Sequence, residues 1–235
     1  MAKDIRDLKD IHKGERCFVM GTGPSLKPYQ LERLKKEITV STNGIVFAQD
    51  EFDFHPTYFS TSEYYVFKDQ EIWSRLKKTK STRVISKFIL IKAPQFGYNY
   101  TGEQRAFLRN SYLVDNKSTR RELATSPEHI TLDLEKDLRM MGTGIMDVAI
   151  PLAFYLGCDP IYMVGCDCQD TGHFYKHKTD SEKELKHSGM PDTRVRDQYP
   201  LFKQRMDMEN RRIINLTPIE ASCPGIPKQD FDDII

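Results

Sequence analysis

The run Arg16-Cys17-Phe18-Val19-Met20-Gly21-Thr22-Gly23-Pro24-Ser25-Leu26 decides the fold. A short apolar stretch stops abruptly at glycine and proline, as a buried parallel strand does where it turns into a helix. Downstream, Leu31 and Leu34 have helical spacing within Tyr29 to Lys36, and Ile38-Thr39-Val40-Ser41-Thr42-Asn43 is β-branched and reads as a second strand. The pattern then repeats. Thr57-Tyr58-Phe59-Ser60-Thr61 predicts a third strand, and Val66 to Lys78 a helix carrying Phe67, Ile72, Trp73 and Leu76. Thr82 to Lys92, with Val84-Ile85 and Phe88-Ile89-Leu90-Ile91, predicts at least one more strand. Residues 93–128 read as a connection or small insert, and residues 1–14, with Ile5, Leu8 and Ile11, as a short helix on the domain edge.

The second half follows the same alternation. Thr143 to Gly157 is the clearest helix, with Thr143 as N-cap, Gly157 as C-cap and a kink expected at Pro151. Pro160-Ile161-Tyr162-Met163-Val164-Gly165 predicts another buried strand, Tyr199 to Arg212 a helix, and Ile213-Ile214-Asn215-Leu216-Thr217-Pro218 the last strand. Between them, residues 170–198 are polar and His-rich and read as a lid. Strands alternating with helices predict an α/β fold: a Rossmann-like, doubly wound, mostly parallel sheet with helices on both faces and a polar lid-like insert. The whole chain, 1–235, reads as one Rossmann-like domain, with 170–198 as its candidate lid.

Composition narrows the function classes. With 39% hydrophobic and 29% charged residues, 13 Phe and 11 Tyr, the chain can build a core and is not a disordered polymer. A net charge of +1 gives no bulk attraction for nucleic acid. No apolar run reaches the ~18 residues of a membrane span. The start, Met1-Ala2-Lys3-Asp4-Ile5-Arg6, lacks an apolar signal core. Five Cys without scaffold-like spacing predict free thiols in a reducing, cytoplasmic setting.

In an open parallel sheet, ligands bind beyond the carboxyl ends of the strands. Those ends are polar or small here: Gly21-Thr22-Gly23, Thr42-Asn43, Ser60-Thr61-Ser62, Gly165-Cys166-Asp167 and Asn215-Leu216-Thr217. Together with Met141-Gly142-Thr143-Gly144, which opens the strongest helix, they form one candidate site. Glycines at the first turn let backbone amides approach an anion, and a helix start favours negative charge. Leu26 stands where the dinucleotide fingerprint needs its third glycine, and no Gly-Lys-Ser makes a phosphate loop. Cys166, Cys168, His173 and His177 match no standard zinc spacing, so no metal is expected. His173, His177 and His187 share one polar segment, and any of them has the chemistry of a general base.

The Gly-x-Gly-Pro-Ser-Leu turn resembles that of the bacterial family-42 sialyltransferases and of the related domain-of-unknown-function-115, MptE-like superfamily. The latter includes motility-associated flagellin-modification proteins and an archaeal pterin diphosphokinase. Tyr155-Leu156-Gly157-Cys158 followed by Ile161-Tyr162-Met163-Val164-Gly165-x-Asp167 resembles a second block, and Asn215-Leu216-Thr217-Pro218 a third. The resemblance implies transfer of a sugar from a CMP-activated donor to a glycan or glycoconjugate hydroxyl, without a metal cofactor. It carries nucleotide contacts onto Gly21, Thr22, Gly23, Ser25, Asn43, Thr143 and Gly144, with Tyr175 on the phosphate and His187, in a His-Ser pair, as base. His173 is the second candidate base, and Thr61, Gly142, Asp167, Gln169 and Thr217 complete the candidate nucleotide-binding set. The implied partners are a nucleotide sugar and a glycan acceptor, with no nucleic acid and room for a homo-oligomer.

Three departures stand out: Thr22 between the glycines, Gln169 where a phosphate tyrosine is expected, and an acidic rather than basic end, Asp230-Phe231-Asp232-Asp233. The pterin diphosphokinase branch implies ATP and Mg²⁺, with Asp167 and Asp170 as the acids that would hold the ion. A third reading is a non-catalytic nucleotide-binding protein of surface-polysaccharide assembly.

Overall fold

The computed structural model describes residues 3–95, 97–115, 122–136, 138, 141, 143–168, 172–175, 196–220 and 222–235. Their strands are β1 Cys17–Met20, β2 Ile38–Thr42, β3 Tyr58–Thr61, β4 Thr82–Ser86, β5 Tyr112–Val114, β6 Ile161–Val164 and β7 Ile213–Asn215. They form a seven-stranded sheet in the order β5-β4-β3-β2-β1-β6-β7. Every pairing is parallel. The fold is therefore the doubly wound α/β sheet that the alternation predicts.

The strands are apolar throughout because both faces are covered. All four residues of β1 are wholly buried. Alternate side chains sort into two cores. Cys17, Val19, Val40, Tyr58, Val84, Ile161 and Met163 face one core, with Met146, Leu152, Leu156, Phe202 and Met206 packed over them. Phe18, Met20, Phe59, Ile85, Tyr162 and Val164 face the other, under Leu31, Leu34, Val66, Phe67 and Leu76. Each fully buried aliphatic or aromatic side chain contributes about 1.5–3 kcal/mol relative to exposure.

The helices are α1 Pro28–Leu34, α2 Ala48–Phe52, α3 Tyr65–Lys68, α4 Gln70–Leu76, α5 Phe88–Gln95, α6 Gly102–Arg109, α7 Ile150–Tyr155 and α8 Tyr199–Met208. Several differ from the sequence reading. The helix expected over 66–78 is two, because the Asp69 carboxylate accepts the Glu71 and Ile72 amides and caps a new start. The Phe88-Ile89-Leu90-Ile91 run is helical, in α5; a short apolar run fits either periodicity. The span 93–128 is more than a connection, since it holds α6, opened by a Thr101 and Gln104 capping box, and β5. The N-terminal helix shrinks to a single 3₁₀ turn, Ile5–Leu8.

Ahead of α7 the chain makes a π-helical turn, Ile145–Ala149. Pro151, which has no N–H to give, then sits at the start of the α-helical stretch, where that lack matters least. Thr143 caps this helix as expected: its hydroxyl accepts the Met146 amide at 3.3 Å. Gly157 closes it at φ +88°, the left-handed conformation that suits glycine. The lid expected over 170–198 falls largely outside the described residues.

Candidate functional site

Because all strands are parallel, their carboxyl ends share one edge. Residues 21–25, 43, 61–62, 165–167 and 216–217 meet there, as the sequence reading requires. The glycine loop crosses the end of β6 closely. The Gly21 amide donates to the Val164 carbonyl at 2.8 Å and the Gly23 amide to the Gly165 carbonyl at 2.9 Å. A Cβ on Gly21 would stand 2.3 Å from the Gly165 oxygen, and one on Gly23 would stand 2.3 Å from the Asp167 carboxyl carbon. Both glycines are thus demanded by β6, and their amides point inward to it.

Asp167 is the clamp of this loop. One carboxylate oxygen accepts the Ser25 amide at 2.9 Å and the other accepts the Ser25 hydroxyl. The residue is 3% exposed. Thr217 serves the same corner, accepting the Cys166 amide at 3.0 Å, while Asn215 Oδ1 accepts the Thr217 amide at 2.9 Å.

Thr22 is the residue of the loop that turns toward 172–175. Its carbonyl accepts the Phe174 amide at 3.0 Å, and its hydroxyl lies 3.1 Å from His173 Nδ1. Tyr175 rests on the start of the β2 exit, where a Cβ on Gly44 would stand 2.0 Å from the Tyr175 hydroxyl. Its ring is sandwiched, stacked at 4.2 Å on Phe47 and at 4.9 Å on His173. The Arg75 guanidinium covers the far side of Phe47 at 4.4 Å, itself held by Asp50 at 2.6 Å. Arg75, Phe47, Tyr175 and His173 therefore form one four-layer stack, in which offset rings and a cation gain about 0.5–1.5 kcal/mol per contact beyond area burial.

Asn43 adopts φ +46° and its Oδ1 accepts the Thr61 hydroxyl at 2.7 Å. The Tyr65 side chain, on the outer edge of this corner, hydrogen-bonds Asn43. The Gly144 helix start abuts this corner; a Cβ there would meet Thr42 at 3.2 Å and Asn43 Nδ2 at 3.4 Å.

One residue that the sequence reading passed over holds the helix start in place. Asp147, 1% exposed, accepts the Met141 amide at 2.7 Å and the Ser62 hydroxyl at 3.2 Å. Its signal was available, since Asp147 is the sole charged residue between Gly144 and Cys158. Gly44, Phe47 and Arg75 were also missed, because only the folded chain brings them under Tyr175.

Of the sequence-predicted site, the structure brings together Gly21, Thr22, Gly23, Ser25, Asn43, Thr61, Thr143, Gly144, Asp167, His173, Tyr175 and Thr217. Gly142, Gln169, His177 and His187 lie outside the described residues. Among the described residues, no three His, Cys, Asp or Glu side chains converge to hold a metal ion. Both oxygens of Asp167 are committed to Ser25. Asp170, the other acid of the Mg²⁺ reading, lies outside the described residues, and no step below passes through a metal. No helix among the described residues is long and apolar enough to cross a membrane.

The chain is similar in fold to the MAf glycosyltransferase of Magnetospirillum magneticum AMB-1, with a TM-score of 0.57 at 10% identity. The likeness covers 100% of this chain and 40% of that one, so this chain spans about two-fifths of its length. No curated protein matches the sequence. A family model, 6-hydroxymethylpterin diphosphokinase MptE-like, matches residues 1–173, which hold β1 to β6 and the cleft loops up to His173, but not Tyr175 or the β7 end. The chain belongs to this MptE-like family.

Proposed function

We propose that the chain is a glycosyltransferase of the sialyltransferase type, moving a sugar from a CMP-activated donor to a hydroxyl of a glycan or glycoconjugate without a metal. The observation that carries this reading is the convergence of Thr22, Asn43, the Thr143-Gly144 helix start and Tyr175 at one edge of the sheet. Polar and aromatic groups supply the contacts there, while the buried acids Asp147 and Asp167 are tied up in holding loops. The fold likeness to a glycosyltransferase supports the same class.

In this reading the acceptor oxygen attacks the anomeric carbon of the donor. The bond from that carbon to the phosphate oxygen breaks, CMP leaves, and the acceptor proton passes to a histidine. In this reading the departing phosphate gathers charge beside the Tyr175 hydroxyl and the helix start, whose donors would stabilise it. His173, beside Thr22, and His187 are the histidines offered for the proton.

The MptE-like match favours a second reading, an ATP-dependent pterin diphosphokinase. A thermal-shift panel of CMP, CDP, UDP, GDP and ATP, each with and without Mg²⁺, separates the two. A ligand at 100 times its Kd adds about 2.7 kcal/mol, or roughly 5–10 °C for a chain of this size. The proposal expects that shift with CMP or CDP alone. A shift with ATP that requires Mg²⁺ overturns it in favour of the kinase. Tight CMP binding with no transfer to any glycan acceptor overturns the catalytic part and leaves a nucleotide-binding scaffold.

A further inference from the structure

Three cysteines meet where β6 leaves the sheet, and nothing in the proposed transfer uses them. Cys168 and Cys223 approach to 3.6 Å between sulfurs. Both sulfurs lie within hydrogen-bonding reach of one acceptor, the Cys166 carbonyl, at 3.3 Å and 3.4 Å. This shared partner holds the two sulfurs side by side. Cys166 turns its own sulfur to the Val164 carbonyl at 3.6 Å. The two members of the pair differ in access: Cys223 is fully buried, whereas Cys168 is half-buried and reaches solvent. Cys17 and Cys158, the other neighbouring thiols, are both sealed in the core.

We propose that Cys168 and Cys223 are a redox modification site, a dithiol that hydroperoxides convert reversibly to a disulfide. The Cys168 thiolate attacks one peroxide oxygen and the O–O bond breaks. The second oxygen leaves as hydroxide and takes the thiol proton to become water, and Cys168 becomes a sulfenic acid. The Cys223 sulfur then attacks the Cys168 sulfur, and the S–O bond breaks. The hydroxyl departs with the Cys223 proton as a second water. Two thiols lose two electrons and one peroxide gains them.

The division of roles follows from the surroundings. The Cys223 thiol, then the Cys223 amide and the Tyr199 hydroxyl, donate to the Cys168 sulfur and outweigh its burial. They bring Cys168 from an ordinary 9.0 to about 7. Burial pushes Cys223 well up, so it stays a thiol until the sulfenic acid is presented to it. Closing the bond requires the sulfurs to approach to about 2.05 Å. Cys168 directly follows Asp167, so that contraction pulls on the loop that clamps Ser25.

The test uses the intact, reduced protein and hydrogen peroxide. After treatment, unreacted thiols are alkylated in denaturant and the chain is digested without reduction for mass spectrometry. The proposal expects a peptide pair joined through Cys168 and Cys223, a fall in free thiols from five to three, and full recovery with dithiothreitol. In Cys223→Ser the sulfenic acid should persist on Cys168 and be captured by dimedone. In Cys168→Ser all remaining thiols should survive the same dose. Five free thiols in the treated parent, a link through Cys166, or dimedone on a different cysteine overturns the proposal. Mapping of the parent chain decides the matter even if neither variant folds.

Discussion

Gly23→Ala should destabilise the chain severely, and Asp167→Ala should absorb nearly all of that cost. Gly23 does not sit in the left-handed region, so alanine brings no backbone penalty and the effect is steric. The added methyl would stand 2.3, 2.5 and 2.7 Å from the three carboxyl atoms of Asp167. Non-bonded heavy atoms rest at about 3.5–4.0 Å, so the carboxylate must retreat by roughly 1 Å. The Asp167 contact to the Ser25 amide is 2.9 Å now, and that retreat takes it out of hydrogen-bonding range. The contact to the Ser25 hydroxyl fails with it. Two hydrogen bonds to a buried charge, at about 1.5–3 kcal/mol each, put the loss at roughly 3–5 kcal/mol. For a domain of this length that is a fall in Tm of roughly 6–20 °C.

Asp167→Ala loses the same two bonds and should cost about as much. It also empties the space that the alanine methyl needs. The double variant should therefore be little worse than Asp167→Ala alone, a coupling on the order of 3 kcal/mol. Chemical denaturation of the parent, both single variants and the double variant closes the cycle. Additive costs, or a neutral Gly23→Ala, would refute the clamp as the reason for glycine at this position.

Asp147→Asn should cost about 1–3 kcal/mol in denaturant melts, because an amide has one acceptor oxygen for the two donors, Met141 and Ser62, that the carboxylate serves. Tyr175→Phe keeps the ring stack but should lower the transfer rate by about 10²–10³, whereas an unchanged rate removes Tyr175 from the chemistry. Alanine at the base histidine should cost about 10²–10⁴ in rate with nucleotide affinity preserved, and comparing His173→Ala with His187→Ala identifies it.

Much of the fold was legible because each strand is short, apolar and ended by small or polar residues. Cys17–Met20 and Ile161–Val164 are wholly apolar, and both faces of the sheet bury them. The legibility stopped where local pattern is ambiguous. Phe88 to Ile91 suits strand or helix equally, and β5 is three residues long, too short to show a period. The position of the cleft followed from topology alone, since parallel strands share a carboxyl edge. Its inner workings did not. The glycines suggested amides open to a ligand, yet they make room for Gly165 and Asp167, partners that lie more than a hundred positions away. The aromatic stack draws on α4, the turn after β2 and residues 173–175, and no one-dimensional pattern joins those three segments.

The place of β1 in the sheet bears on how the chain must be made. Cys17 pairs with Ile38 on one flank and with Ile161 on the other. During synthesis the first partner emerges almost at once, but the second is translated only after β2, β3, β4 and β5. At about 5–20 residues per second, β1 keeps an unpaired flank for on the order of ten seconds. That flank belongs to a strand with no charge and no proline, Cys17-Phe18-Val19-Met20, of the kind that templates pairing between chains. The finished protein has no such liability, because β6 and β7 cover it. The hazard belongs to the nascent chain and to any fragment cut short of β6, and it makes the yield of folded protein depend on how fast and how completely the chain is translated.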